Sequence, residues 1–280
     1  MLKRIFSYLT LQIEPTRECN LNCKLCMRRN LEEKTGQLSV ENFKRILDSH
    51  NFRYVGLHGW GEPLLNQGLF DMLKYAQSRG VTTNLTTNGI LVEEHVDDIL
   101  DSGLNDLAFG IYSAEYLERF KSGLEKLLSE RSQRNQKTPK TYFDITIYRD
   151  NLDDIFNLIE IAMDLGVDAV ILHRLFNTYN VDPDVEYITK EEEETLFEDV
   201  EKLKKEQGYE IYLPRTHSLP CRYVKLSIFV TYDGKVTPCC YLPDYSLGDA
   251  LNGNFRTIMN ARSAFIRNMH THPVCSKCIW

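Results

Sequence analysis

Glu14-Pro15-Thr16-Arg17-Glu18-Cys19-Asn20-Leu21-Asn22-Cys23-Lys24-Leu25-Cys26 follows a short alternating apolar run, Leu9 to Ile13, and places three thiols on one loop in the spacing C-x3-C-x2-C. Three thiolates so spaced can wrap a single metal centre. A cubane iron–sulfur cluster takes four cysteines, so three local ones leave one iron without a protein ligand. A structural zinc site wants a closed set of four, commonly as two C-x2-4-C pairs. Three separate buried thiols are the remaining reading, because free cysteine is among the most buried residue types. The spacing favours the cluster.

Outward from that loop, strand and helix signals alternate along the first two-thirds of the chain. Ser39 is placed to cap a helix carrying Val40, Phe43, Ile46 and Leu47 on one face. Strands are expected at 54–57, 81–86, 104–112, 142–148 and 167–172. Helices are expected at 69–79, from Glu93 to Gly103, along a long stretch bearing Tyr116, Phe120, Leu124, Leu127 and Leu128, and at 153–165 and 190–207. The polar stretch 131–140, with Pro139, reads as an exposed loop, and Glu191–Glu194 as a solvated helix start suited to the helix dipole. Gly80, Gly103, Gly166 and Gly208 stand where a left-handed residue closes a helix.

Strand–helix alternation at this spacing indicates parallel βαβ units. Six such units make an α/β partial (β/α)6 TIM-like barrel over residues 1–213, with its chemistry expected at the carboxyl ends of the strands. After Pro214 the pattern changes. Residues 224–230 and 235–237 flank Tyr232-Asp233-Gly234 as a β-hairpin, and 254–269 reads as a helix. Residues 214–280 are thus expected to form a small hairpin-plus-helix extension.

The 280 residues are 42% hydrophobic and 26% charged, an ordinary globular composition. A net charge of -7 argues against a nucleic-acid binder held by phosphate contacts. No stretch approaches the ~20 apolar residues of a membrane span. The run Met1–Thr10 is too short an apolar segment for a signal peptide. A cytoplasmic location follows as the expectation, and there eight cysteines suggest metal sites rather than disulfides.

C-x3-C-x2-C after a short strand resembles the signature of the radical S-adenosylmethionine (SAM) superfamily. The resemblance implies that SAM chelates the open iron, and that the reduced cluster cleaves it to a 5′-deoxyadenosyl radical which abstracts a substrate hydrogen. Gly59-Trp60-Gly61-Glu62-Pro63 has small residues that let backbone approach a ligand and a carboxylate that can receive an ammonium group; a plain turn is the other reading. It looks like the family's Gly-Gly-Glu motif for the SAM amino group, with Trp60 in place of the middle glycine. Leu25 stands where relatives often have an aromatic residue against adenine. Thr86-Thr87-Asn88-Gly89 matches the family's text and also reads as an Asn-Gly turn. Relatives commonly carry a ribose-binding serine where Gly110 stands here, so Ser113 or Tyr112 is the substitute. Arg119 matches an arginine that pairs with the SAM carboxylate in relatives, or is a surface residue. Arg149, His173 and Arg174, at the ends of the fifth and sixth strands, are candidates for substrate contact or general base, or for purely structural roles.

Cys221, Cys239, Cys275 and Cys278 make a second, complete set of four, with Cys240 left over. Their ligand types suit zinc or an iron–sulfur cluster equally. Their order resembles the SPASM or shortened "Twitch" extension of radical SAM enzymes, which implies one auxiliary [4Fe–4S] cluster. The spacing is similar to that of the aminocyclitol dehydrogenase of butirosin biosynthesis.

A fully ligated cluster suits electron transfer rather than substrate binding. The expectation is therefore a radical SAM oxidoreductase that oxidises a small polar metabolite, such as a sugar or aminocyclitol, passing an electron to the auxiliary cluster and a proton to a base. Only 18 residues precede Cys19, which disfavours a leader-peptide recognition domain. Peptide modification and epimerisation, with Cys240 as hydrogen donor, are the alternatives among enzymes. A non-catalytic iron–sulfur electron carrier is the alternative outside them. Flavodoxin or ferredoxin is the expected reductant.

Overall fold

The computed structural model describes residues 9–176, 178, 179 and 182–278; the readings of the first eight residues and of Ile279 and Trp280 lie outside these. In chain order the elements are β1 (Thr10–Ile13), α1 (Val40–Asp48), β2 (Tyr54–Leu57), α2 (Leu69–Ser78), β3 (Thr82–Thr87), α3 (Val96–Asp101), β4 (Asp106–Ile111), α4 (Ala114–Glu118), α5 (Lys121–Gln133), β5 (Lys140–Ile147), α6 (Ile155–Leu165), β6 (Ala169–Arg174), α7 (Lys190–Gln207), β7 (Ile211–Tyr212), α8 (Arg222–Leu226), β8 (Ser227–Val230), β9 (Lys235–Thr237), β10 (Gly248–Asp249), α9 (Phe255–Asn268) and α10 (Pro273–Lys277). The α/β class expected from the alternation is borne out, and the pairs β1–β2, β4–β5 and β5–β6 are parallel.

The chain forms two compact units. One comprises the described residues up to Asn22, Cys26–Asn84 and the chain from Thr216 onward; the other comprises Cys23–Leu25 and Leu85–Arg215. In the first, β2 and β8 flank β1 in parallel, and β9 and β10 continue from β8 in antiparallel. Leu11, Ile13, Val55, Leu57, Ile228, Phe229 and Val230 are buried there. Each such side chain contributes about 1.5–3 kcal/mol relative to leaving it in water. In the second unit, β4, β5, β6 and β7 pair in parallel in that order. Burial along β5 alternates strictly: Thr141, Phe143, Ile145 and Ile147 are buried, and Tyr142, Asp144 and Thr146 lie on the opposite face. That period of two assigns each residue to a face of the sheet.

Local signals account for most boundaries. The Ser39 hydroxyl accepts the Asn42 N–H at 3.1 Å and starts α1. Thr189 and Glu192 form a reciprocal capping box at α7, worth about 1 kcal/mol. Gly166 (φ 76°) and Gly208 (φ 63°) end α6 and α7 in the left-handed conformation. The expected long helix over 116–128 is two helices, because Phe120 leaves helical geometry (φ -134°) and buries its ring, stacked 5.7 Å from Phe109. The expected strand at 224–230 begins as helix α8: the Lys225 N–H closes a turn onto the Cys221 carbonyl, and only Ser227–Val230 finds a neighbour, β1. The short strand β7 carries no periodic signal of its own.

Candidate active site

Glu14 ends β1 and organises the loops beyond it. Its carboxylate, fully buried, meets the Arg17 guanidinium at 3.0 Å and accepts the Trp60 N–H at 3.3 Å and the Tyr232 N–H at 3.5 Å. Burial raises the Glu14 carboxyl above the usual carboxylate range, and Arg17 opposes that rise. Arg17 also lies over the Tyr232 ring, 5.1 Å from its centroid. One acid thus ties the cysteine loop, the glycine loop and the β8–β9 turn together. A lone Glu before a proline carries no signal of this in the sequence.

The glycine loop packs directly on the start of the cysteine loop. A Cβ at Gly61 would lie 2.1 Å from the Thr16 carbonyl oxygen, and one at Gly59 would lie 2.8 Å from Cγ of Glu14. The Glu62 N–H donates to the Glu18 carbonyl at 2.8 Å, next to Cys19. The Glu62 side chain is 1% exposed, and its Oε1 accepts the Leu64 N–H at 3.1 Å. Both glycines are therefore needed for chain packing. Trp60 turns the other way: its indole N–H donates to the Cys240 carbonyl at 3.2 Å, and its ring meets Tyr241 edge-on at 5.3 Å. Beside this loop, Gln12 donates to His58 Nδ1 at 3.1 Å and accepts from the Tyr223 hydroxyl, a polar chain that no local pattern in the sequence announces.

Cys19 and Cys26 belong to this first unit, while Cys23 and Leu25 belong to the second. All three thiols are partly exposed. Leu25 packs on Tyr148, Leu175 and Val185. Within the second unit, Asn88 forms the expected Asn-Gly turn, its Oδ1 accepting the Ile90 N–H at 3.1 Å and Gly89 lying at φ 84°. Ser113 caps α4 through a 3.1 Å bond from the Tyr116 N–H. Arg119 is exposed and lies 5.6 Å from the Tyr116 ring centroid. A Cβ at Gly110 would meet the Thr87 carbonyl oxygen at 3.8 Å and the Tyr112 hydroxyl at 4.0 Å, ordinary contacts, so packing here does not force a glycine. Arg149 forks onto Glu192, and Arg174 forks onto Glu193 at 2.6 and 2.8 Å while also donating to the Arg215 carbonyl at 2.6 Å. Both arginines thus hold α7 to the strand ends. His173 is half-exposed and meets Asp144 at 3.2 Å.

Cys221, Cys239, Cys240, Cys275 and Cys278 all lie in the first unit. Their thiols perturb one another. Burial, with Cys221 nearby, pushes Cys275 up to about 11; burial, with Cys275 and Cys221, pushes Cys278 up to about 12. Cys239 is raised by burial and by Cys240, Cys278 and Cys275. His217 clasps the set, with Nε2 3.3 Å from the Cys221 sulfur and Nδ1 2.6 Å from the Cys278 carbonyl oxygen. Burial raises the Cys221 thiol, but His217 and the Val224 and Tyr223 N–H groups outweigh it and leave the thiol below its ordinary value. Four soft donors whose charges repel one another suit a cationic iron–sulfur core, which removes the cost of deprotonating them together. Among the described residues no three Cys, His, Asp or Glu side chains converge as a single metal ion requires. The four thiols of a cubane each meet a different iron, so the donor set fits that group.

Comparison with known proteins matches a family model to each of the regions that carry the two cysteine sets. The family model "Radical SAM superfamily" matches residues 13–188, and the SPASM model, "Iron-sulfur cluster-binding domain", matches residues 221–279. The "Tungsten-containing aldehyde ferredoxin oxidoreductase cofactor-modifying protein" of Pyrococcus furiosus is 22% identical over 96% of this chain and 86% of its own length. The crystal structure of Streptococcus suis SuiB bound to the precursor peptide SuiA superposes with a TM-score of 0.73 at 14% identity, covering 96% of this chain and 66% of that one. BtrN in complex with AdoMet and 2-DOIA superposes with a TM-score of 0.56 at 14% identity, covering 96% and 91%. These likenesses show the fold.

Proposed function

Because this chain belongs to the radical SAM superfamily and carries an iron–sulfur cluster-binding SPASM domain, we propose that it oxidises a small hydroxylated metabolite of the sugar or aminocyclitol class. SAM and the [4Fe–4S] cluster are the family's cofactors and supply a 5′-deoxyadenosyl radical when bound. The observation that carries the oxidation reading is the complete thiol set Cys221, Cys239, Cys275 and Cys278, clasped by His217 in one unit. Four protein ligands leave an auxiliary cubane no open iron, so its role is to take the electron released as a carbinol carbon becomes a carbonyl. Flavodoxin or ferredoxin is the class of reductant proposed for the first cluster. The test is anaerobic incubation of reconstituted protein, SAM and reductant with a panel of polyols and aminocyclitols. Oxidation gives a product lighter by two hydrogens for each 5′-deoxyadenosine formed; a product of unchanged mass sinks the reading.

Glu62 is the proposed partner of the SAM amino group, with Gly59, Trp60 and Gly61 presenting backbone beside it. Glu62→Gln keeps an oxygen for the Leu64 N–H and removes only the charge. Its expected cost in SAM affinity is about 1.5–3 kcal/mol, the size of a bond to a charged group. Isothermal titration of the reconstituted variant measures it, and unchanged affinity would reduce the loop to a structural turn.

Two readings compete with metabolite oxidation. A peptide substrate is favoured by the likeness to SuiB, whose solved complex holds a precursor peptide. Epimerisation would need a hydrogen donor, and Cys240 is the thiol left outside the ligand set. Burial pushes that thiol up to about 12, so it keeps its S–H at neutral pH. In deuterium oxide, oxidation leaves no solvent deuterium at the reacting carbon, and Cys240→Ala stays active. Deuterium at that carbon together with an inactive variant would instead establish epimerisation.

A further inference from the structure

We propose that Asp144 is the positioning residue of a proton-accepting couple, holding His173 on the open face of β5 and β6 to receive the substrate's hydroxyl proton. The inference rests on the oxidation reading above. Asp144 and Thr146 of β5 share that face, and the parallel register sets Thr146 beside His173 and Asp144 beside Ile171. The His173 Nε2 lies 3.2 Å from Asp144 Oδ1. An acid on one ring nitrogen keeps the proton there and makes the other, Nδ1, the acceptor. On the other side of Asp144, in register on β4, stands Gly110, where a Cβ would have only the Thr87 carbonyl oxygen at 3.8 Å and the Tyr112 hydroxyl at 4.0 Å for neighbours. A glycine therefore leaves room beside a carboxylate–imidazole couple near the carboxyl ends of parallel strands.

Among the described residues, the neighbouring strands present the following other titratable or charged groups. Toward the amino ends of the strands, β4 contributes Asp106, which accepts from the Tyr142 hydroxyl of β5 at 3.1 Å, and β7 contributes Tyr212. Arg149 and Arg174 follow β5 and end β6, and each is forked onto its own glutamate of α7. Burial raises the Asp144 carboxyl, and His173 is the charge that opposes the rise.

The chemistry balances with groups already named. Bound SAM and its cluster would supply the radical that takes the carbinol hydrogen atom, giving 5′-deoxyadenosine. The O–H bond then breaks, its proton passing to His173 Nδ1. As the C=O bond forms, the remaining electron would be taken by an oxidised iron–sulfur cluster, the class of acceptor that a SPASM domain would supply when loaded.

Residue-resolved hydrogen–deuterium exchange at histidine C2 positions, read by mass spectrometry on anaerobic holoprotein across pH, tests the couple without a substrate. In Asp144→Asn, which keeps the shape of the side chain, the His173 midpoint is expected to fall by about one pH unit relative to wild type, as for loss of a nearby opposite charge. Asp144→Glu is expected to recover most of that shift, and the midpoints of His95 and His270 are expected to stay where they are. A His173 midpoint equal in wild type and Asp144→Asn overturns the inference, whatever reaction the enzyme performs. A lowered midpoint sustains the couple even if product mass removes the oxidation reading.

Discussion

Anaerobically reconstituted protein is expected to hold about eight irons per chain, four per cubane, and the triple variant Cys19→Ala, Cys23→Ala, Cys26→Ala about four. The same variant should release no 5′-deoxyadenosine from SAM in the presence of a reductant. The argument is one of ligand division. The proposed ligands are the three thiols of the amino-terminal set and four of the five in the SPASM region, so each loss is expected to remove one whole cluster and leave the other intact. Iron analysis and electron paramagnetic resonance of the reduced protein measure the first quantity, and chromatography of the nucleoside measures the second. Retention of all eight irons in the triple variant would show that these thiols are not the ligands. Stoichiometric zinc in protein prepared with ample iron would remove the electron-acceptor role of the second set.

The converse variant, Cys275→Ala with Cys278→Ala, is expected to separate the two halves of the reaction. Iron should fall to about four. SAM cleavage should persist, because the loop of Cys19, Cys23 and Cys26 is untouched, while formation of oxidised product should cease for want of an electron acceptor. Cys275 is buried, so this double change also leaves space in the packing, whereas the Cys278 carbonyl that holds His217 is main chain and survives it. A milder variant keeps the test sound: Cys239→Ser changes one sulfur to oxygen at nearly constant volume. Full oxidation by either variant would assign the electron to another acceptor.

The chemistry that is written locally is legible in the residues, and the chemistry that depends on folding is not. C-x3-C-x2-C and C-x2-C are short loops whose spacing alone keeps their thiols close, so Cys19, Cys23 and Cys26, and the pair Cys275 and Cys278, stand out in the sequence as candidate ligands. Helix ends are legible for the same reason, since a cap or a left-handed glycine acts within one turn, as at Ser39, Gly166 and Gly208. Asp144 is invisible there because one polar residue on the open face of a strand is what alternation demands. It acquires meaning only from His173 on the neighbouring strand and from the room left at Gly110. His217 and the chain Gln12, His58 and Tyr223 likewise join residues far apart in sequence. Arg149 and Arg174, promising by position, are bound to Glu192 and Glu193 of a helix whose acidic run reads, in sequence, as facing solvent alone.

The parallel pairing of β1 with β8 bears on the order in which the molecule can be made. Thr10–Ile13 has Ser227–Val230 as its partner along one edge, so that edge stays open on the ribosome until more than two hundred further residues have emerged. Contacts so distant in sequence slow folding and leave a strand edge exposed meanwhile. Glu14, one residue beyond β1, receives its bond from the Tyr232 N–H only after the same event. The loop bearing Cys19 therefore reaches its final support late, and iron delivery that follows translation, rather than accompanying it, finds the thiols already in place.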